Sequence, residues 1–244
     1  MPAKNTGTGI RRWSERGESV MQRIPEPELM NAMEQAKAYS EADFEEPHEA
    51  FVEVLKEKLH TTNDRGYALD LGCGPGDVSL RFARVHPHLN VHGVDGAPNM
   101  IQLGEARIRE AGFSHQVELV PGYLPGASLQ RGSYEVIFSN SLLHHLKDPM
   151  VLWETIHEYA SPGTGVFVMD LCRPQSVQEA KGMVDRYAAN EPEILRHDFY
   201  HSLCAAYRPQ EVREQLDASN VSELDVQALG DRHLIIWGRI GNPS

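Results

Sequence analysis

From about residue 66 the chain alternates short apolar runs with stretches in which apolar residues recur every three or four positions. This alternation predicts a parallel α/β sheet with helices packed on its faces. Strands are predicted over 67–71, 90–94, 117–120, 134–139 and 166–171, with helices over 78–85, 99–111 and 150–160. The apolar faces are explicit, with Val78, Phe82 and Val85 on the first helix and Leu152, Ile156 and Tyr159 on the last. Ser161-Pro162-Gly163 stops that last helix before the fifth strand. Between residues 173 and 207 the rhythm gives way to a segment rich in Tyr, His and Arg, read as a helical insertion. A helix over 209–218 follows, then two strands over 224–229 and 233–240 joined by Gly230-Asp231, a tight hairpin signal that makes the sheet end antiparallel.

The first 24 residues are polar and aperiodic and cannot bury enough apolar surface to offset ordering entropy, so a mobile tail is expected. Met21, just ahead of Ile24-Pro25-Glu26-Pro27, is an alternative start. Residues 25–62 read as a helical cap. One helix carries Leu29, Met33 and Ala36 on one face up to Phe44, and a second starts at Pro47 with Phe51, Val52, Leu55 and Leu59 inward. The main domain is then 63–244, holding the insertion at about 173–207.

Composition narrows the function. Lys and Arg number 23 against 35 Asp and Glu, a formal charge of −12 over 244 residues that repels phosphate backbones and anionic membranes, so a nucleic-acid substrate is disfavoured. Cys73, Cys172 and Cys204 form no C-x-x-C pair, which argues against a disulfide framework or zinc knuckle and fits a reducing cytoplasm. No apolar run approaches the roughly 20 residues of a membrane span. The partner expected is a small molecule, without stable membrane insertion and with a homodimer left open.

The most informative stretch is Asp70-Leu71-Gly72-Cys73-Gly74-Pro75-Gly76-Asp77, a strand running into a glycine-rich turn and then a helix. Ligands of open α/β sheets sit at such strand ends, and the glycines let backbone approach a ligand closely. A dinucleotide fingerprint needs its third glycine where Asp77 stands, and a carboxylate there opposes a pyrophosphate, which weighs against a nicotinamide oxidoreductase. A second acid, Asp95, ends the next strand, where ribose hydroxyls need an acceptor; Gly96-Ala97-Pro98-Asn99-Met100 supplies an apolar face for an adenine edge.

Together Asp70-x-Gly72-x-Gly74-x-Gly76 and Asp95 resemble the class I S-adenosylmethionine-dependent methyltransferases, over about residues 66–171 and the final strand pair. The resemblance implies a Rossmann-like seven-stranded sheet, mostly parallel with its last strand antiparallel, helices on both faces and helical lid additions. It also implies S-adenosylmethionine as cofactor. Asp70, Gly72, Cys73, Gly74 and Gly76 would then face the methionine end, Asp95 and Gly96 the ribose, and Met100 the adenine edge, while Asn140 and Ser141 of the fourth strand's loop would line the site. The closest subset modifies small molecules and cofactors; its fourth-strand loop resembles His144-His145-Leu146 followed by Asp148-Pro149. One departure is Gly122-Tyr123, where many relatives carry Gly-Asp to hold the adenine amino group; Gly122 and Tyr123 stay candidate cofactor contacts, through backbone groups or through the Tyr123 ring stacked on the adenine or the substrate.

Methyl transfer is an in-line displacement in which positioning dominates and a base is optional. His144 and His145 are the candidate catalytic groups, one expected to point across the cofactor end and the other into helix packing. Tyr39 and Phe44 of the cap, Tyr200 of the insertion and Arg173 after the fifth strand are candidates for the acceptor pocket, with a salt bridge to Asp170 or Glu179 as the plain role for Arg173. His197/His201 and His86/His88 lack completing ligands, so no metal is expected. The leading expectation is methyl transfer to a small molecule. Alternatives are a quinone-like or lipid-like precursor, suggested by the apolar N-terminal helix, and a cofactor-binding partner subunit without catalysis.

Overall fold

The structure, a computed structural model, describes residues 21–26, 33–41, 44–60, 65–127, 129 and 134–241. The expected tail up to residue 20, and Pro27 and Leu29 at the start of the first cap helix, lie outside these residues. In chain order the elements are α1 (Met33–Glu41), α2 (Glu45–Leu59), β1 (Gly66–Leu71), α3 (Asp77–Val85), β2 (Leu89–Asp95), α4 (Pro98–Glu110), β3 (Val117–Pro121), β4 (Tyr134–Asn140), a single 3-10 turn (Leu143–His145), α5 (Met150–Tyr159) and β5 (Gly165–Leu171). There follow α6 (Val177–Tyr187), α7 (Glu193–Ala205), α8 (Pro209–Asp217), β6 (Asp225–Leu229) and β7 (His233–Arg239). Helix α2 begins two residues ahead of Pro47, which sits in the first turn where backbone N–H groups have no intrahelical partner.

The seven strands lie in the order β3-β2-β1-β4-β5-β7-β6, with β1 to β5 mutually parallel and β7 antiparallel to both neighbours. The order reverses between β1 and β4, so the ligand crevice belongs at their carboxyl ends. Two apolar layers cover the sheet. Phe51, Val52 and Leu55 of α2, Phe82 of α3 and Ile101 and Ile108 of α4 pack on one face, and Leu152, Trp153 and Ile156 of α5 with Val212 and Leu216 of α8 on the other. Strand alternation decides where the acids point. Asp70 shares the side of Ala68 and faces α3, whereas Asp170 follows Val166 and Val168 to the opposite side.

The expected insertion is the helix pair α6 and α7, which closes a small core around Leu171, Met183, Val184 and Leu203. In the cap, Ala36 and Tyr39 of α1 pack on Ala97 and Met100, while Met33, expected on the same inward face, is exposed. Residues 21–24, expected to end the tail, are instead docked. Met21 is buried, its N–H donates to Gln175 O at 3.0 Å, and Ile24 N donates to Cys204 O at 3.0 Å. Arg23 explains how a segment without apolar period docks. It donates to Ala205 O at the carboxyl end of α7 and to His144 O and Leu146 O, and its guanidinium lies 4.0 Å from the Tyr207 ring centroid.

Candidate functional site

The turn after β1 is shaped by glycine. Gly72 (φ +74°) has no room for a side chain, because a Cβ would stand 2.9 Å from Leu142; Gly74 (φ +51°) has no atom within 4 Å of that position. Gly74 borders the crevice, so the space a Cβ would fill there belongs to the cavity. Gly72 N and Cys73 N both donate to Val94 O, at 2.9 and 3.0 Å, tying the turn to β2. Asp95, at the end of β2, accepts from Gly74 N at 2.9 Å through Oδ2 and from Ala97 N at 2.8 Å through Oδ1. Burial raises its pKa despite these two bonds. Asp70 is fully buried and accepts from Ser79 Oγ at 2.5 Å; desolvation, with Asp95 nearby, pushes its pKa to about 7.

Asp77, the residue that breaks the dinucleotide fingerprint, opens α3 and gathers hydrogen-bond donors. His48 Nδ1 of α2 donates to it at 2.7 Å and Arg81 Nε at 2.8 Å, with an Arg107 guanidinium nitrogen 3.5 Å away. Burial alone would raise its pKa, but these partners hold it below the ordinary carboxylate range. This network clamps α2 against the turn, and His48, Asp77, Arg81 and Arg107 line a cavity of about 260 Å³ with Asp70, Cys73 and Pro75.

Across the crevice, β4 ends at Asn140 and Ser141, the latter in left-handed backbone (φ +59°) with its N–H donating to Met169 O at 2.9 Å. The 3-10 turn that follows presents two imidazoles with ring centroids 4.0 Å apart. His144 is 2% exposed and its Nδ1 donates to Asp170 Oδ1 at 2.6 Å. Burial by itself would lower its pKa, yet Asp170 and Glu26 raise it. His145 Nδ1 donates to Glu26 Oε2 at 2.5 Å, and Ser202 Oγ of α7 donates to Glu26 Oε1 at 2.7 Å. Burial would raise Glu26, but these partners hold it at about 2.

A cavity of about 920 Å³ joins the two sides. Its walls include Gly72, Gly74, Asp95, Met100, Asn140, Ser141, His144 and His145, together with Tyr39 and Phe44 of the cap. Leu142, Met169, Leu171, Leu195 and Phe199 add an apolar flank. Other expected site residues lie elsewhere. Gly76 caps α3 in left-handed backbone against Leu119 and Ile108, and the Tyr123 ring covers Gly96. Neither cavity's wall includes Gly76, Gly96, Gly122 or Tyr123. Arg173 does not reach the acceptor space or pair with Asp170 or Glu179. It is buried, donating to Met21 O and Ala206 O and pairing with Glu211, because the docked segment and the loop before α8 present carbonyls and a carboxylate that draw its guanidinium away from the crevice; Arg208 shares the Met21 carbonyl with it. Tyr200 turns instead toward the small core of α6 and α7. Sequence reasoning missed Glu26 and His48 as site residues. For Glu26 the one local signal is Pro25-Glu26-Pro27, in which the prolines favour an extended strap.

The residues fit S-adenosylmethionine: an open glycine turn for the amino-acid end, a half-buried carboxylate at a strand end, and an apolar edge at Met100 and Ala97. A family model described as a methyltransferase domain matches residues 63–220. Demethylmenaquinone methyltransferase of Anoxybacillus flavithermus is 30% identical over 108 residues, 44% of this chain and 45% of that protein. Ubiquinone biosynthesis O-methyltransferase of Paraburkholderia xenovorans is 24% identical over 161 residues, 66% of each. The chain spans about half the length of the first curated relatives it matches. Among solved structures, the plantazolicin methyltransferase BpumL in complex with a monoazolic desmethylPZN analog and SAH superimposes with a TM-score of 0.65 at 14% identity, over 84% of this chain and 90% of that one, a likeness of fold.

Proposed function

This chain belongs to the methyltransferase domain family, and from that premise we propose that it transfers a methyl group from S-adenosylmethionine to a small-molecule acceptor in the cytoplasm. The observation that carries the reading is the single 920 Å³ cavity that connects the Gly74–Asp95 pair to the His144–His145 pair, within the size range of small-molecule sites. The cofactor supplies an activated methyl on a sulfonium. Gly72 and Gly74 give backbone access at one end, the Asp95 carboxylate accepts ribose hydroxyls, and Asn140 and Ser141 line the passage between them and the imidazoles. Tyr39, Phe44 and Phe199 add aromatic walls to the cavity. We place acceptor activation at His144 and His145, because each ring is oriented by a carboxylate, Asp170 and Glu26 respectively.

A quinone-like or lipid-like acceptor is the second reading, supported by the apolar flank Leu142, Leu171, Leu195 and Phe199 and by relatives named for quinone biosynthesis. No helix among the described residues is long and apolar enough to cross a membrane.

Calorimetric titration with S-adenosylmethionine and separately with NAD, on wild type and Asp95→Ala, tests the donor side. Micromolar binding of the first alone, weakened about 100-fold in the variant, is expected, since Asp95 is a charged acceptor whose bonds are worth about 1.5–3 kcal/mol each. Absence of that binding, or equal binding by the variant, sinks the assignment. Turnover assays on thiols, amines, phenols and a prenylated quinol then choose the acceptor; binding without turnover on all of them favours a partner subunit without catalysis.

A further inference from the structure

We propose that Glu26, His144 and His145 form a binding site for one divalent transition-metal ion, of the Zn²⁺ or Co²⁺ kind, at the acceptor end of the cavity. One ligand atom from each residue lies within 4.8 Å of the other two, the one such trio of His, Cys, Asp or Glu among the described residues. Two imidazoles and a carboxylate are the borderline donor set that these ions take, whereas magnesium and calcium favour oxygen alone.

The ligands are held in advance. Asp170 takes the Nδ1–H of His144 at 2.6 Å, which fixes the tautomer and leaves Nε2 as the coordinating nitrogen, the carboxylate–histidine–metal arrangement of metalloproteins. Ser202 fixes the far oxygen of Glu26 at 2.7 Å, and the strap carrying Glu26 is anchored through Ile24 N to Cys204 O. The Glu26–His145 contact of 2.5 Å is the hydrogen bond that an ion would replace. Two of the three ligands, His144 and His145, line the large cavity, so a fourth coordination position on their side would face it, the pattern of catalytic rather than structural metal sites.

The site stands on these residues alone. Its consequence for chemistry rests on the methyl-transfer reading, and it narrows the acceptor to a hydroxyl or thiol. With the ion bound the two imidazoles activate the acceptor by holding the metal and not as free bases, and a group bound to the ion ionises more readily. Its O–H or S–H bond breaks and the proton passes to solvent; the electron pair left on oxygen or sulfur attacks the methyl carbon, whose bond to the sulfonium sulfur breaks with the bonding pair leaving on sulfur as a neutral thioether.

The full chain, stripped with a chelator, is titrated with CoCl₂ while visible d–d absorption is read, and with ZnCl₂ by calorimetry. One ion per chain with a micromolar or tighter dissociation constant is expected. Glu26→Gln and His145→Ala should each weaken binding by about 100-fold or more, and Asp170→Asn by about 10- to 100-fold. His201→Ala, which removes one ring of the adjacent histidine pair on α7, should change nothing. Thermal melting without metal checks that each variant folds. If His145→Ala does not fold, Asp170→Asn, which preserves packing, decides. No cobalt bands and no heat up to about 100 μM metal, or full stoichiometry retained in Glu26→Gln and Asp170→Asn, overturns the site. Titrating S-adenosylmethionine into the same samples keeps the two readings apart: lost metal uptake with the cofactor bound defeats this site alone, and the reverse defeats the donor assignment alone.

Discussion

The two ends of the cavity are built in opposite ways. At the donor end, Gly74 in the turn after β1 and Asp95 at the end of the neighbouring β2 are 21 positions apart, and the bonds run largely through backbone groups of Gly72, Gly74 and Ala97. At the acceptor end, Glu26 and Ser202 are 176 positions apart, and the functional atoms are side chains brought together from a strap, a 3-10 turn, β5 and α7. A site made from one βαβ unit is fixed wherever that unit folds. A site assembled from several segments depends on each of them docking, and is free to differ between proteins that share the unit.

The largest effect that separates the two ends is expected from His145→Ala. Turnover should fall by about 10²- to 10⁴-fold, the range a positioned acid–base group contributes, while affinity for S-adenosylmethionine stays within about twofold. Steady-state rates beside calorimetry measure the split. Parallel losses of rate and cofactor affinity would mean that the ends are not independent.

At the donor end the largest effect is on stability. The folded pKa of Asp70 is raised to about 7 against about 3.8 when exposed, so between those values the folded state holds a proton that the unfolded state has lost. Its contribution is therefore neutral below about pH 4, becomes increasingly destabilising as pH rises to about 7, and levels off at up to about 4 kcal/mol above that. Asp70→Asn, which retains an acceptor for Ser79, should be more stable than wild type by an amount that grows from pH 5 to pH 8 in urea melts. A pH-independent difference would show that Asp70 is ionised in the folded protein.

These contrasts also explain what could be read in advance. The succession of strands and helices along the chain, the glycine turn and Asp95 follow from patterns within short windows, and the structure differs from them mainly by a residue or two at element ends. Residues 21–24 were misjudged because Arg23 docks on carbonyl groups and an aromatic face, interactions with no periodic signature. Arg173 was misjudged for a related reason: it follows β5 at the mouth of the crevice, but Met21 O, Ala206 O and Glu211, all remote in sequence, turn it away. Glu26 could not be paired with His145 by any spacing rule across 119 positions.

A smaller change tests whether the glycine turn is a cradle or only a turn. Gly74→Ala meets no atom within 4 Å, so its structural cost is the left-handed backbone alone, about 1–2 kcal/mol. The added methyl projects into the cavity and should weaken cofactor binding about tenfold, beyond what the stability change explains. Gly72→Ala makes the complementary case, since its Cβ would strike Leu142 at 2.9 Å and the loss should appear first in thermal melts. If both variants lose stability and Gly74→Ala keeps its affinity, the turn is structural.

The smallest effect concerns Gly122-Tyr123. The Tyr123 ring lies where a Cβ on Gly96 would come within 2.9 Å, and the residue is 59% exposed. A ring so exposed, outside the cavity wall, contributes little to holding a ligand beside Asp95, so Tyr123→Ala should change cofactor affinity by less than about threefold. Tyr123→Asp places a carboxylate next to the same strand end and should tighten binding about fivefold, the worth of one added hydrogen bond of about 1 kcal/mol. A loss of tenfold or more in Tyr123→Ala with full recovery in Tyr123→Phe would assign the ring to stacking on the adenine, and would make the donor end, like the acceptor end, dependent on a side chain outside the βαβ unit.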